Sequence, residues 1–143
     1  MFSKTCEYAI RAVIFVAQRT RDGNRVGIKE IAKGIASPEH FVAKILQDLV
    51  RHEVLLSAKG PNGGFYLDDK CLHHTLADIV AVTDGDNIFH ECALGLNKCS
   101  EEKPCPLHHK FKTIREEIKE LMESATIEHF SNEPEWSPSY LKR

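Results

Sequence analysis

Residues 37–66 read SPEHFVAKILQDLVRHEVLLSAKGPNGGFY, and a change of period inside this stretch decides the fold. In its first half Phe41, Ile45, Leu46 and Leu49 recur at helical intervals and share one face. Ser37-Pro38 reads as N-cap and first helical residue: the hydroxyl accepts an orphan amide, and proline has no amide to lose there. From Val54 the pattern changes. VLLSAKG and GFYLDD are rich in β-formers and flank Pro61-Asn62-Gly63, which predicts a hairpin. Just upstream, Ile28, Ile31, Ala32 and Ile35 form one face of IKEIAKGI, with Gly34 near its end. A short helix, a tight turn and a longer helix predict a helix-turn-helix, and a hairpin directly behind it is a wing. The wing tip sets Lys59 beside Gly60, Pro61, Asn62, Gly63 and Gly64, residues that permit close backbone approach. Such a tip suits nucleic acid.

Working outward, TCEYAIRAVIFVAQRT (5–20) predicts a mostly buried helix with Thr5 as its N-cap, stopped by Asp22-Gly23-Asn24. Downstream, Thr75 to Asp78 has the form of a capping box opening a helix that ends at Asp84-Gly85. Residues 86–106 carry no periodic run. From Leu107 a stripe of Leu107, Phe111, Ile114, Ile118, Leu121, Met122 and Ala125 faces away from Lys112, Arg115, Glu116, Lys119 and Glu123. Such a stripe suits the seam between two helices, which predicts a dimerisation helix, with packing on its own domain as the alternative. The final SNEPEWSPSYLKR has two prolines and few aliphatics and predicts a flexible tail. The expected class is therefore mainly α. It comprises a winged helix-turn-helix DNA-binding domain (1–85), a cysteine-rich cluster-binding loop (86–106), a dimerisation helix (107–130) and a tail (131–143).

The 143 residues favour one domain with a small appendage. Apolar residues at 42% and charged residues at 28% match an ordinary soluble chain and argue against wholesale disorder. The longest aliphatic run, Ala12 to Ala17, is far short of the ~20 residues of a membrane span. The opening MFSKTCE lacks the order of a secretory signal, so a cytoplasmic protein is expected. The net charge of −2 conceals an asymmetry, +3 over residues 1–70 and −5 over 71–143. A basic front half and an acidic back half are compatible with a nucleic-acid module followed by an assembly or sensing module.

Five cysteines are an odd count for a reducing compartment, where clustered thiols read as metal-binding or redox-active. The segment ECALGLNKCSEEKPCPLHH holds Cys92, Cys99 and Cys105 with six and five residues between them, then His108 and His109. Structural zinc sites usually draw ligands in pairs two to four residues apart, and no such pair occurs here. The wider intervals suit a larger object, a cluster whose separate irons are reached by a wrapped loop. His108 follows Cys105 closely enough to share the site. The alternatives are a zinc site that stabilises the fold and a thiol–disulfide switch without metal. Cys6 and Cys71 lie in or beside apolar segments and read as buried small hydrophobes. No serine or cysteine is spaced with a base and an orienting carboxylate, so no enzyme is expected.

Taken together, SKTCEYAIRA, EIAKGI, SPEHFVAKILQDLVRHEVL running into SAKGPNGGF, LADIVAVTDGD and the cysteine triplet resemble one family. It is the winged-helix iron–sulfur transcriptional regulator family that includes IscR and the nitric-oxide sensor NsrR. The resemblance implies a homodimeric regulator, most often a repressor, bound to operator DNA, with Cys92, Cys99 and Cys105 as ligands of an iron–sulfur cluster. For the fourth ligand it implies two places. A histidine three residues after the last cysteine, His108 here, goes with a 2Fe–2S cluster. A carboxylate near the start of the first helix, Glu7 of the partner subunit, goes with a 4Fe–4S cluster. His108 is favoured, because a ligand from the same loop needs no particular dimer geometry.

The helix behind Ser37 is expected in the major groove, with Ser37, Glu39, His40 and Lys44 as readout candidates. At the wing, Lys59 is expected to reach the minor groove, where a slim basic tip fits, and Asn62 beside it is a further DNA-binding candidate. A homodimer places two such heads about 34–36 Å apart on a near-palindromic operator. Nitric oxide, redox state or iron–sulfur status is the expected signal, acting through the cluster.

Overall fold

The computed structural model describes residues 1–132 and 138–142. Helix α1 (Lys4–Arg19) runs through the centre of the core. Its N-cap is Ser3 rather than the expected Thr5, and Ser3 Oγ accepts from the Cys6 amide at 3.1 Å. Asp84 at the end of the fifth helix fixes that cap by accepting from the Ser3 amide at 2.8 Å and from its hydroxyl. Against α1 pack α2 (Ile28–Gly34) and α3 (Glu39–Arg51), which form the expected helix-turn-helix. Ile31, Ile35, Val42, Leu46 and Leu49 are buried among Val13, Val16 and Ala17 of α1. Gly34 lies where α2 crosses the Phe15 ring: a Cβ there would fall 2.2 Å from Phe15 Cε2.

Two details of the turn differ from expectation. Ala36 takes a left-handed conformation (φ 52°) and Pro38, not Ser37, occupies the N-cap of α3, with no side-chain cap. The Ser37 hydroxyl is consequently turned inward, buried without a hydrogen-bond partner. Phe41, expected on the buried face, is 39% exposed and rests edge-on against Tyr8 at 5.7 Å, while Val42 takes the buried place.

The wing is an antiparallel hairpin of β1 (Leu56–Ala58) and β2 (Gly64–Tyr66), in register Leu56 to Tyr66. Val26 adds a bridge on the other side of β2, exchanging bonds of 3.0 and 2.8 Å with Phe65. Gly64 (φ 142°) permits that approach, since a Cβ would meet the Val26 carbonyl oxygen at 2.8 Å. A single turn, α4 (Asp69–Leu72), leads to α5 (Leu76–Thr83), which opens with the predicted reciprocal capping box between Thr75 and Asp78.

Helix α6 (His108–Ser124) is shorter than the expected 107–130 element. It stops because residues 125–126 turn extended and bond to the start of α5: the Leu76 amide donates to the Ala125 carbonyl at 2.9 Å, and Thr126 bridges Thr75. The chain then folds back as α7 (Ile127–Asn132), which packs on α1 and buries Ile127. The expected apolar stripe also divides. Met122 is buried with Cys6 and Val80, whereas Leu107, Phe111, Ile114 and Leu121 stay exposed, Ile114 by 48% and Leu121 by 64%.

The flexible tail expected over 131–143 is corrected where the structure describes it. Residues 131–132 complete α7, and a short 3₁₀ turn (Pro138–Lys142) docks on α1 and α2. Leu141 there is only 2% exposed, and its carbonyl accepts from Arg11 Nη1 at 3.0 Å. An aliphatic side chain one position from the basic end supplies the anchor that the prolines obscure. Residues 133–137 and 143 of the expected tail lie outside the described residues. No helix among the described residues is long and apolar enough to cross a membrane.

Candidate cluster loop and DNA-facing surface

The loop between α5 and α6 is held at its base by a 3₁₀ turn (Asn87–Phe89) whose Ile88 and Phe89 pack against the Cys6, Val80 and Met122 cluster. Beyond it the backbone coils through short turns. The Gly95 amide (φ 68°) donates to the Cys92 carbonyl at 2.9 Å, and the Ser100 hydroxyl accepts from the amides of Glu102 and Lys103. The last of these turns delivers the chain to α6, with the His108 amide donating to the Cys105 carbonyl at 3.0 Å.

Of the four expected ligands, two are in direct contact. Cys99 Sγ lies 3.2 Å from His108 Nδ1. The Cys92 thiol is held below its ordinary range first by the amides of Leu94 and Leu96, then by Cys105 and the Arg115 charge. Cys92 and Cys99 also line one cleft of about 510 Å³. Among the described residues no group of three or more His, Cys, Asp or Glu side chains is gathered closely enough to hold a metal ion.

The donors nevertheless fit an iron–sulfur cluster in kind. Three thiols, all free, on a loop made of turns and one imidazole at the start of α6 are the soft, pliable donor set such a cluster takes. His108 is 4% exposed and its Nε2 is buried without a partner, an unsatisfied polar atom in need of an explanation. Glu7, the other expected ligand, pairs with Lys4 at 2.8 Å, and that ammonium holds its carboxyl below the usual range. Cys6 and Cys71 are buried as expected, and burial pushes the Cys71 thiol up to about 11.

Two basic residues of α6 that the sequence pattern puts on a solvated face reach the loop instead. Lys112 pairs with Glu101. Arg115 donates to the Glu91 carbonyl and, at 3.5 Å, to Cys99 Sγ. Periodicity separates apolar from charged faces, but it carries no information about which charges meet a loop.

On the winged head, Glu39, His40 and Lys44 are exposed on α3, and Lys59 and Asn62 are exposed at the wing. Ser37 does not join them. The wing has a brace that the sequence reading missed: Arg25 stacks over Tyr66 at 4.9 Å and donates to the Asn62 carbonyl at 3.4 Å. Its one sequence signal is a basic residue immediately before the Val26 that bridges β2.

Comparison with known proteins places this architecture. A family model described as Rrf2, iron-dependent transcriptional regulator, matches residues 2–133. A putative helix-turn-helix transcriptional regulator of Aquifex aeolicus is 34% identical over 134 residues, covering 92% of each chain. The transcriptional regulator NsrR of Oceanobacillus iheyensis is 26% identical, covering 87% of this chain and 85% of its own. The solved structure of CymR, the global cysteine regulator of Bacillus subtilis, superposes with a TM-score of 0.76 at 22% identity, over 92% of this chain and 95% of that one. That likeness shows the shared fold. A winged head, a cysteine loop and a match over nearly the whole length lead to one assignment: the chain belongs to the Rrf2 family of DNA-binding transcriptional regulators.

Proposed function

We propose that this chain is a homodimeric repressor whose grip on a near-palindromic operator is controlled by an iron–sulfur cluster. Cys92, Cys99, Cys105 and His108 would hold the cluster, favouring the 2Fe–2S type. The observation that carries this reading is the 3.2 Å contact between Cys99 Sγ and His108 Nδ1, which ties the middle of the loop to the first residue of α6. When bound, the cluster supplies a centre sensitive to nitric oxide, electrons or iron–sulfur status. The protein's part is to translate the state of the loop into the placement of its heads. The loop leaves α5 and enters α6, and both helices pack on the Cys6, Val80 and Met122 cluster below α1. Ordering the loop therefore bears on the element against which the helix-turn-helix is built.

The second copy is supported by the exposed Leu107, Phe111, Ile114 and Leu121 of α6. On DNA, α3 presents Glu39, His40 and Lys44 to the major groove, and the wing presents Lys59 and Asn62 to the minor groove. The expected site of action is the cytoplasm.

Iron and acid-labile sulfide analysis of anaerobically purified protein tests the ligand set. His108→Ala is expected to lower both contents while Glu7→Ala matches the wild type. The reverse pattern would assign the fourth position to Glu7 of the partner subunit and a 4Fe–4S cluster. A second reading, a thiol switch without metal, is favoured by the three free, partly exposed thiols of the loop. It predicts that oxidation changes operator binding even after chelation. Zinc in place of iron in the same analysis would favour the zinc-stabilised form.

A further inference from the structure

The cysteine loop is attached to α6 by more than its own ligand histidine. The Arg115 guanidinium holds it at two points: one nitrogen donates to the Glu91 carbonyl, next to Cys92, and the other to Cys99 Sγ at 3.5 Å. These acceptors are eight residues apart in sequence and lie 24 and 16 residues from Arg115, so one side chain closes two separate loops. Arg115 is itself half-buried, in contrast to Glu116 and Glu117 beside it on the helix. A planar guanidinium with five fixed donors suits this task; a lysine ammonium at the same place has no comparable fork.

The contact to Cys99 has a chemical consequence. An N–H donor at a ligating thiolate stabilises the more negative, reduced form of an iron–sulfur centre, and hydrogen bonds to the sulfurs are among the main determinants of its potential. A positive charge at that place acts in the same direction. We propose that Arg115 is a positioning residue of the cysteine loop that raises the reduction potential of the cluster held there. The proposal rests on the cluster reading above and adds to it: the residue that shapes the metal-free loop also decides how readily the loaded protein takes up an electron.

The test uses the full chain, purified without oxygen, as wild type, Arg115→Lys and Arg115→Gln. Each is titrated with dithionite as the electron donor, with the midpoint read from visible absorption and iron and sulfide measured in parallel. The Gln variant is expected to show a reduction equilibrium constant about tenfold lower, a midpoint ~59 mV more negative for one electron. The Lys variant, which keeps the charge but not the fork, is expected between the two. Equal midpoints in all three proteins overturn the proposal. Should the Gln variant fail to retain its cluster, the Lys variant carries the comparison on the same terms.

Wild-type protein without iron and sulfide would sink the cluster reading and, with it, the effect on potential. The anchoring half is read separately in metal-free protein by limited trypsin cleavage after Lys98, which is exposed one residue before Cys99. Arg115→Gln is expected to accelerate that cleavage several-fold with an unchanged unfolding midpoint. Equal cleavage rates would overturn the anchoring.

Discussion

Arg25 lies with its guanidinium 4.9 Å over the ring of Tyr66, so the segment entering α2 braces the second strand of the wing. The brace leaves Lys59 and Asn62 exposed at the tip. Lys59→Ala is therefore expected to weaken binding across operator and non-operator sequences alike and to reduce the slope of log K against log salt by about one unit. Binding isotherms at several salt concentrations measure it. An unchanged slope would remove the wing from the DNA contact.

A Cβ at Gly34 would fall 2.2 Å from the Phe15 ring that α2 crosses. Gly34→Ala overpacks that crossing and is expected to cost ~1–3 kcal/mol, read as a lower thermal midpoint. Adding Phe15→Leu, which removes the ring, should recover part of the loss. A double variant no better than the sum of its singles would mean that the crossing is not the cause.

Most of the winged head was legible because its signals are local. Periodicity marked α1, α2 and α3, the Pro61-Asn62-Gly63 tip marked the hairpin, and Thr75 with Asp78 marked the cap of α5. What escaped depends on contacts far apart in the chain. The end of α6 is set by pairing with residues 74–76, and the cap of α1 by Asp84. The inward turn of Ser37 follows from the left-handed Ala36, which the residue type does not announce. At the loop, spacing singled out Cys92, Cys99, Cys105 and His108. Arg115 stayed hidden on a face that reads as solvated, because a charged side chain that meets a loop looks in sequence like one that meets water.

Leu141 tests the docking of the C-terminal turn. It is among the largest fully enclosed side chains of the core, held over α1 by the bond from Arg11. Leu141→Ala is expected to destabilise the protein by about 2 kcal/mol or more, the low end of the range for a buried leucine. Chemical denaturation measures it. An unchanged midpoint would mean that the turn contributes nothing to the fold.

The buried Cys71 makes stability depend on alkaline pH. Its thiol is raised from an ordinary 9.0 to about 11 by burial, so the folded state favours the neutral form. The contribution is fully present below pH 9.0 and is lost as pH rises toward about 11. Denaturation midpoints measured from pH 8 to 11, with Cys71→Ala alongside, are expected to fall more steeply for the wild type. Parallel curves would show that Cys71 does not contribute. In native protein at neutral pH, Cys71 should also resist alkylation that modifies the loop cysteines.

The most direct measurement of the central claim is operator affinity of one anaerobic preparation, determined before and after the cluster is removed by chelation. The account predicts a coloured protein containing iron and sulfide, whose affinity changes on removal and returns on reconstitution. A colourless, metal-free protein that holds the same operator with the same affinity throughout would contradict it.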